Sequence, residues 1–439
     1  MGSPLVRRVI RRPEVLRGSV SPPGDKSVSH RALILNAMAG GMATVRGLSD
    51  GEDVLSTSRC LRALGVQIEP AGHDGAVIVS GTKNRLEEPQ DVLDAGNSGT
   101  SIRLLSGLLS TQPFLSILSG DGSLRSRPMG RIVEPLRLMG AHIMGRGNDS
   151  LAPLAVRGGI LKGVEYSMPV ASAQAKSAIL LAALSAHGNT VLHQPASSRD
   201  HTERMVKAMG GSVEEEGLTL VVRPSSLSAV DVDVPGDISA AAFWMVAGLC
   251  HPDARISLKG VGVNPTRTGI LEALGSMGAR ITQKSPHVEG GEPVADVSVE
   301  SSQLTATEIA GDMIGRIIDE LPVLAVAACF AKGSTVIRDA QELRVKESDR
   351  VHTMVTELSK LGARMEELPD GMVIHGTGRL TGGRCRSHGD HRLAMALAVA
   401  GLLADGETTV DGAQVASVSY PKFWQHMEGL DPSTKGPRP

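Results

Sequence analysis

Residues 389–404 read GDHRLAMALAVAGLLA: four small or charged positions, then twelve that are all apolar or glycine. A surface helix keeps a polar stripe along its length, so a helix with charge only in its first turn reads as buried on every side. The same design occurs five times earlier, as DKSVSHRALILNAMA from Asp25, GNSGTSIRLLSGLLS from Gly96, SAQAKSAILLAALSA from Ser172, GDISAAAFWMVAGLC from Gly236 and DELPVLAVAACFA from Asp319. Successive starts lie 71, 76, 64, 83 and 70 residues apart. That period is too long for a solenoid, whose repeats run about 20–50 residues.

After each apolar helix comes a glycine-marked turn and a short apolar run, plainest in GNTVLHQ, GSTVIRD and GETTVDG, which reads as a strand. A second helix follows and ends in glycine: SRCLRALG at Ser58, RIVEPLRLMG at Arg131, ERMVKAMG at Glu203, GILEALGSMG at Gly269 and RVHTMVTELSKLG at Arg350. In the last of these Val351, Met354, Leu358 and Leu361 form one apolar face, and Gly362 is placed for a left-handed cap. Alternating stretches such as Val77–Val79 and Val297–Val299 complete the units. Six α/β units fit two domains of three. Rotation-related helices point the same way, so their heads should gather on two facing surfaces, each head carrying roughly half a positive charge and unpaired N–H groups.

The 439 residues are 41% apolar before the 51 glycines are counted, enough to build two or three domains. A formal charge of −2 and eight aromatic residues exclude a nucleic-acid protein that works by bulk attraction and base stacking. Cys60, Cys250, Cys329 and Cys385 form no CxxC, which argues against a zinc knuckle or a disulfide framework and for a reducing cytoplasm. The N-terminal MGSPLVRRVIRRPEVL lacks the apolar stretch of a signal peptide, and Leu321–Ala331 and Leu393–Ala404 are too short to span a bilayer. No membrane role is expected.

Cations stand at the helix heads: Lys26, Arg31, Arg103, Lys176 and Arg392, with Arg125, Arg127, Arg131, Arg199, Arg204, Arg344, Lys346 and Arg350 in neighbouring loops. A cation is unfavourable at a helix N-terminus, so this set implies an anionic ligand. Asp319 and Glu347 lie among the cations, where a carboxylate beside a bound substrate can move protons. GDKS at Gly24 is no Walker A loop; GDGSLR, GVGVNP and GTGRLT each lack the third glycine of GxGxxG; His201-Thr202-Glu203 is not HExxH. Neither a metal nor a cofactor is expected.

GDKSVSHR, AGNSGTSIR, RSRPMGR, SAQAK, DELP, RVKESDR and GDHR, in this order along the whole chain, resemble the enolpyruvyl transferases, and among them the branch acting on shikimate 3-phosphate. SAQAK, RDHTE from Arg199 and NPTR from Asn264 resemble its class II subset. The resemblance implies an inside-out α/β barrel in each of two domains, with six βαβαββ repeats in all. Residues 25–235 would form one domain and 1–24 with 236–439 the other, with the active site in the cleft between them. It implies transfer of the enolpyruvyl group of phosphoenolpyruvate to the 5-hydroxyl of shikimate 3-phosphate, without metal or cofactor, by a monomer whose partners are small anions.

By motif, the resemblance assigns Lys26, Ser27, Arg31, Ser172, Ala173, Gln174, Asp319 and Lys346 to shikimate 3-phosphate. It assigns Lys26, Gly99, Arg127, Gln174, Arg350 and Arg392 to phosphoenolpyruvate. Asp319 would be the base, and Glu347 with Lys26 the proton donors. Ala173 stands where many members have serine, Val418 where many have a phosphate-binding lysine, and Leu104 where glyphosate-sensitive members have proline. Glyphosate would compete with phosphoenolpyruvate, and Gly99 would leave it room. A UDP-N-acetylglucosamine enolpyruvyl transferase would carry a cysteine on the loop after the second helix, and Thr111–Pro128 holds none. A non-catalytic binder of phosphate metabolites would gain nothing from Asp319 and Glu347.

Overall fold

The computed structural model describes residues 6–72 and 75–431, so Met1–Leu5 of the N-terminal segment lie outside the described residues. All six apolar segments are helices: Lys26–Met38, Gly99–Leu109, Ala173–Ala183, Ile238–Cys250, Leu321–Phe330 and His391–Leu403. Five are started by a side chain that accepts from the free N–H groups of the first turn: Asp25 from Val28, Ser98 from Ser101, Ser172 from Ala175, Asp237 from Ser239, and Asp390 from Arg392 and Leu393. The fifth helix opens on Leu321-Pro322, where proline gives up a donor that a helix head leaves unmet in any case. All 13 residues of His391–Leu403 are buried.

The strands of the described residues form six small sheets, five of four strands and one of three. The repeat is clearest from Glu165 onward. Strand Glu165–Ser167 runs parallel to Thr190–His193 with the Ala173–Ala183 helix between them in the chain. Helix His201–Ala208 then leads to Ser212–Glu216 and Thr219–Arg223, an antiparallel pair whose second strand borders Thr190–His193. This is a βαβαββ unit, and the chain is an α/β protein built from six of them, the last shortened.

Contacts divide the described residues into two compact units. A central unit holds Gly24–Pro235 with Val288–Glu292; a split unit holds the residues up to Pro23, Gly236–His287 and those from Pro293 on. Each has three sheets and its own core, around Leu33, Leu105 and Ile179 in the first and Trp244, Leu324 and Leu397 in the second. In the split unit the three buried helices pack on one another inside the sheets, and in the central unit Gly99–Leu109 touches both of the others. A side chain at Gly107 would collide with the Ala178 carbonyl, so this glycine lets the second and third helices approach.

Chain order and sheet order part company at the crossings. Leu16–Val20 pairs in parallel with Ala254–Gly262 in the split unit, whereas Val232–Asp233 pairs with Gly40–Arg46 in the central one. The three-stranded sheet is completed by Arg7–Arg11 lying antiparallel to Glu407–Asp411. Gly362 ends the Arg350–Ser359 helix at φ +84°, the left-handed cap its position called for.

Candidate functional site

In the central unit three helix heads converge. Gln174 accepts from the Arg103 guanidinium and donates from Nε2 to Thr100 Oγ1 at 2.9 Å, joining the second and third helices. His30 Nδ1 shares a 2.7 Å bond with Thr57 Oγ1, which lies 2.6 Å from Ser101 Oγ, joining the first to the second. Burial pushes the His30 imidazole down to about 3, so it stays neutral at working pH.

Around these heads stand Lys26, Ser27, Arg31, Gly99, Arg127, Ser172, Ala173 and Gln174. Lys26 Nζ donates to Asp53 Oδ2 at 2.9 Å and keeps about a quarter of its side chain exposed. Arg31 is buried, yet its partners are neutral: Nε donates to Thr202 Oγ1 at 2.6 Å, Nη1 to the Ser27 carbonyl at 2.9 Å and Nη2 to Ser177 Oγ at 2.7 Å. Burial brings its guanidinium down to about 10, opposed first by the field of Glu203. A buried cation with hydroxyls and a carbonyl for company is oriented but not neutralised, an arrangement suited to an anion. Arg127 donates to Asn97 Oδ1 at 2.6 Å. Gly99 opens its helix with a Cβ position only 3.0 Å from Arg103 Nη1 and 3.4 Å from Arg127 Nη1. Ser172 caps the third helix, and Ala173 offers its carbonyl to Ser177.

In the split unit the centre is Arg350, buried at the head of the Arg350–Ser359 helix. It donates from Nε to Asp390 Oδ2 at 2.8 Å and from Nη2 to Glu347 Oε2 at 2.6 Å, while Nη1 lies 3.6 Å from Asp319 Oδ1. The three carboxylates raise the Arg350 guanidinium above its ordinary range despite burial. Desolvation opposes charge on Asp390, but Arg350 overrides it and holds the carboxyl below the ordinary value. Lys346 lies 3.9 Å from Glu342, and burial lowers its ammonium against the pull of Asp319. Arg392, 4% exposed, makes no side-chain hydrogen bond or ion pair with the described residues. Ser239 donates to Glu320, beside Asp319, and Arg267 of NPTR donates to Ser239 at 2.7 Å and to Asp237 at 3.2 Å.

The two constellations differ in kind. Among the side chains named, the central one sets Lys26, Arg31, Arg103 and Arg127 against Asp53, an excess of positive charge. The split one holds Lys346, Arg350 and Arg392 together with Asp319, Glu347 and Asp390, cations and carboxylates mixed.

Other head and loop cations are already partnered. Lys176 is buried in an ion pair with Glu203 at 2.6 Å, Arg204 pairs with Asp200 at 2.7 Å, and Arg344 faces Asp349 and Glu367 at 2.8 and 2.9 Å. Each of these three is paired within the protein. Sequence reasoning missed Asp53, Ser177, Thr202 and Asp390, which orient the cations; Thr202 and Asp390 lay inside motifs already marked, RDHTE and GDHR.

The profile of the family described as EPSP synthase (3-phosphoshikimate 1-carboxyvinyltransferase) matches residues 10–427. The chain is 52% identical over 425 residues to a 3-phosphoshikimate 1-carboxyvinyltransferase of Herpetosiphon aurantiacus, covering 96% of this chain and 98% of that one. It is 56% identical over 416 residues to one of Gloeobacter violaceus, covering 94% and 96%. Among solved structures it resembles an EPSP synthase from Acinetobacter baumannii, with TM-score 0.87, 42% identity and 97% and 98% of the two chains covered. The enolpyruvyl transferase NikO from Streptomyces tendae shares the fold at TM-score 0.76 and 20% identity, covering 98% of each.

Proposed function

We propose roles for individual side chains from the premise that this chain belongs to the EPSP synthase family and carries out its reaction. It transfers the enolpyruvyl (1-carboxyvinyl) group of phosphoenolpyruvate to the 5-hydroxyl of shikimate 3-phosphate and releases phosphate, a step of the shikimate pathway to aromatic amino acids.

In this reading Lys26, Ser27, Arg31, Ser172, Ala173, Gln174, Asp319 and Lys346 hold shikimate 3-phosphate, while Lys26, Gly99, Arg127, Gln174, Arg350 and Arg392 hold phosphoenolpyruvate. The supporting observation is Arg392, a nearly buried guanidinium without a side-chain hydrogen bond or ion pair among the described residues, on the helix that Asp390 caps. A charge kept unpaired there costs stability unless an anion joins it.

Asp319 takes the proton of the 5-hydroxyl as its oxygen bonds to the central carbon of phosphoenolpyruvate. The methylene carbon takes a proton from Glu347 or Lys26, giving a tetrahedral intermediate. Loss of phosphate with a proton from the new methyl group then restores the double bond. Glu347 is bonded to Arg350 beforehand, so it needs priming to act as an acid. An anion arriving at Arg350 competes for that guanidinium and brings a like charge close to Glu347, and both effects favour a proton on the carboxylate. Cations on the phosphates lower the barrier by preorganised electrostatics.

The domain assignment belongs to the same proposal: 25–235 and 1–24 with 236–439 act together on one substrate pair. The protein works as a monomer in the cytoplasm, for which four unpaired thiols, all pushed up by burial, fit a reducing compartment. The test is phosphate release with both substrates, omitting each in turn. Lys26→Met abolishes it, and small-angle scattering with saturating shikimate 3-phosphate shows compaction. Phosphate release by the Lys26→Met protein at the normal rate rejects the assignment of Lys26, and unchanged scattering rejects the joint action of the domains.

A further inference from the structure

One buried carboxylate in the split unit has no part in the reaction above. Glu357 is fully buried on the Arg350–Ser359 helix, two turns beyond Arg350. It accepts from His388 Nε2 at 2.6 Å, from the backbone N–H of Arg386 at 3.0 Å and from Lys360 Nζ at 2.7 Å, while its carbonyl accepts from Cys385 Sγ at 3.6 Å. Burial opposes its charge, but His388 and Lys360 still hold the carboxyl below the ordinary range.

Three of these four contacts come from 385–388, the segment leading into Asp390. That segment turns sharply: His388 stands at φ +51° and Gly389 at φ +76°. A left-handed backbone is unfavourable for histidine and persists only where its surroundings hold it. The turn delivers Asp390 to Arg350 and starts the helix that carries Arg392. One helix therefore grips the loop twice, at Asp390 through Arg350 and before the turn through Glu357.

We propose that Glu357 and His388 are positioning residues for phosphoenolpyruvate: their hydrogen bond holds residues 386–389 in the turn that sets Asp390 against Arg350 and places Arg392. The inference rests on the assignment of Arg350 and Arg392 to that substrate. Lys360 alone could neutralise Glu357 from the solvent side, so the bonds to His388 and to the Arg386 N–H are what link the carboxylate to the loop.

The test compares steady-state kinetics of Glu357→Gln, His388→Ala and the double variant, with melting curves for each. The expected result is a phosphoenolpyruvate KM raised about tenfold, the size of losing one hydrogen bond to a charged group, with kcat within about threefold. The double variant is no worse than the worse single one, because both act through one contact. His388→Asn, which tolerates the left-handed backbone and keeps a donor, recovers part of the loss, and Lys360→Ala stays within about twofold of the parent. A folded His388→Ala protein with unchanged phosphoenolpyruvate KM overturns the proposal, even if Glu357→Gln fails to fold. So does a loss that falls equally on both substrates and tracks the melting temperature. Arg392→Ala serves as the reference: if its phosphoenolpyruvate KM is unchanged, the site assignment fails and takes this role with it.

Discussion

Arg350 donates to Asp390 over 2.8 Å, and that bond ties the head of the Arg350–Ser359 helix to the head of His391–Leu403. Asp390 has no exposed side chain, whereas Asp319 and Glu347 on the same guanidinium keep 23% and 18% exposed. One carboxylate is thus committed to structure, leaving two that a substrate can reach.

Asp319→Asn should lower turnover by a hundredfold or more, the range for losing a general base, while both substrates still bind. Calorimetry and phosphate release, run on the same preparation, separate the two effects. Near-normal turnover would remove Asp319 from the role of base.

Asp390→Asn should cost about 3 kcal/mol of stability at neutral pH, because it takes from the buried Arg350 its fully buried carboxylate partner. The Asp390 pKa is lowered by folding, so its contribution is present above the ordinary 3.8 of an aspartate and is lost as pH falls through the lower folded value. Urea titrations read through Trp244 and Trp424, both in the split unit, should show the parent losing stability over that acid range and the variant losing less.

His30 predicts an acid dependence at milder pH. Its folded pKa is about 3 against 6.5 for a free imidazole, so below 6.5 the unfolded chain takes up a proton that the folded one refuses. Stability should fall toward pH 3 by as much as about 1.4 kcal/mol per pH unit from this group alone. His30→Asn should flatten that slope in denaturant titrations followed by circular dichroism; an unchanged slope would mean that the imidazole is charged in the folded protein.

Gly99→Ala sets a methyl group 3.0 Å from Arg103, closer than side chains normally approach, and 3.4 Å from Arg127. The Arg103 guanidinium must give way, and the phosphoenolpyruvate KM should rise severalfold. If glyphosate competes for this space as the family resemblance implies, its inhibition constant should rise more. Equal changes in the two constants would argue that the methyl acts through the arginines and not through the room it takes.

The six buried helices were legible because a helix without a polar face is visible in the order of residues alone, as in His391–Leu403. The motif residues were legible as a set for the same local reason. What could not be read was which cations are already spent. Lys176 and Arg31 look alike in sequence, but one meets Glu203 and the other meets only hydroxyls and a carbonyl, and this depends on where the His201–Ala208 helix packs. Val232–Asp233 is too short to show an alternation, so its sheet could not be assigned from pattern. The Glu357–His388 bond joins residues 31 apart across a turn whose backbone form carries no sequence signal beyond Gly389.

The pairing of Arg7–Arg11 with Glu407–Asp411 and of Leu16–Val20 with Ala254–Gly262 sets an order for folding on the ribosome. Every sheet of the central unit is complete once Asp233 has emerged, whereas the first strands to emerge must wait for partners made hundreds of residues later. The earliest-made segment is the last to be seated, and until then its strand edges stay open to wrong partners.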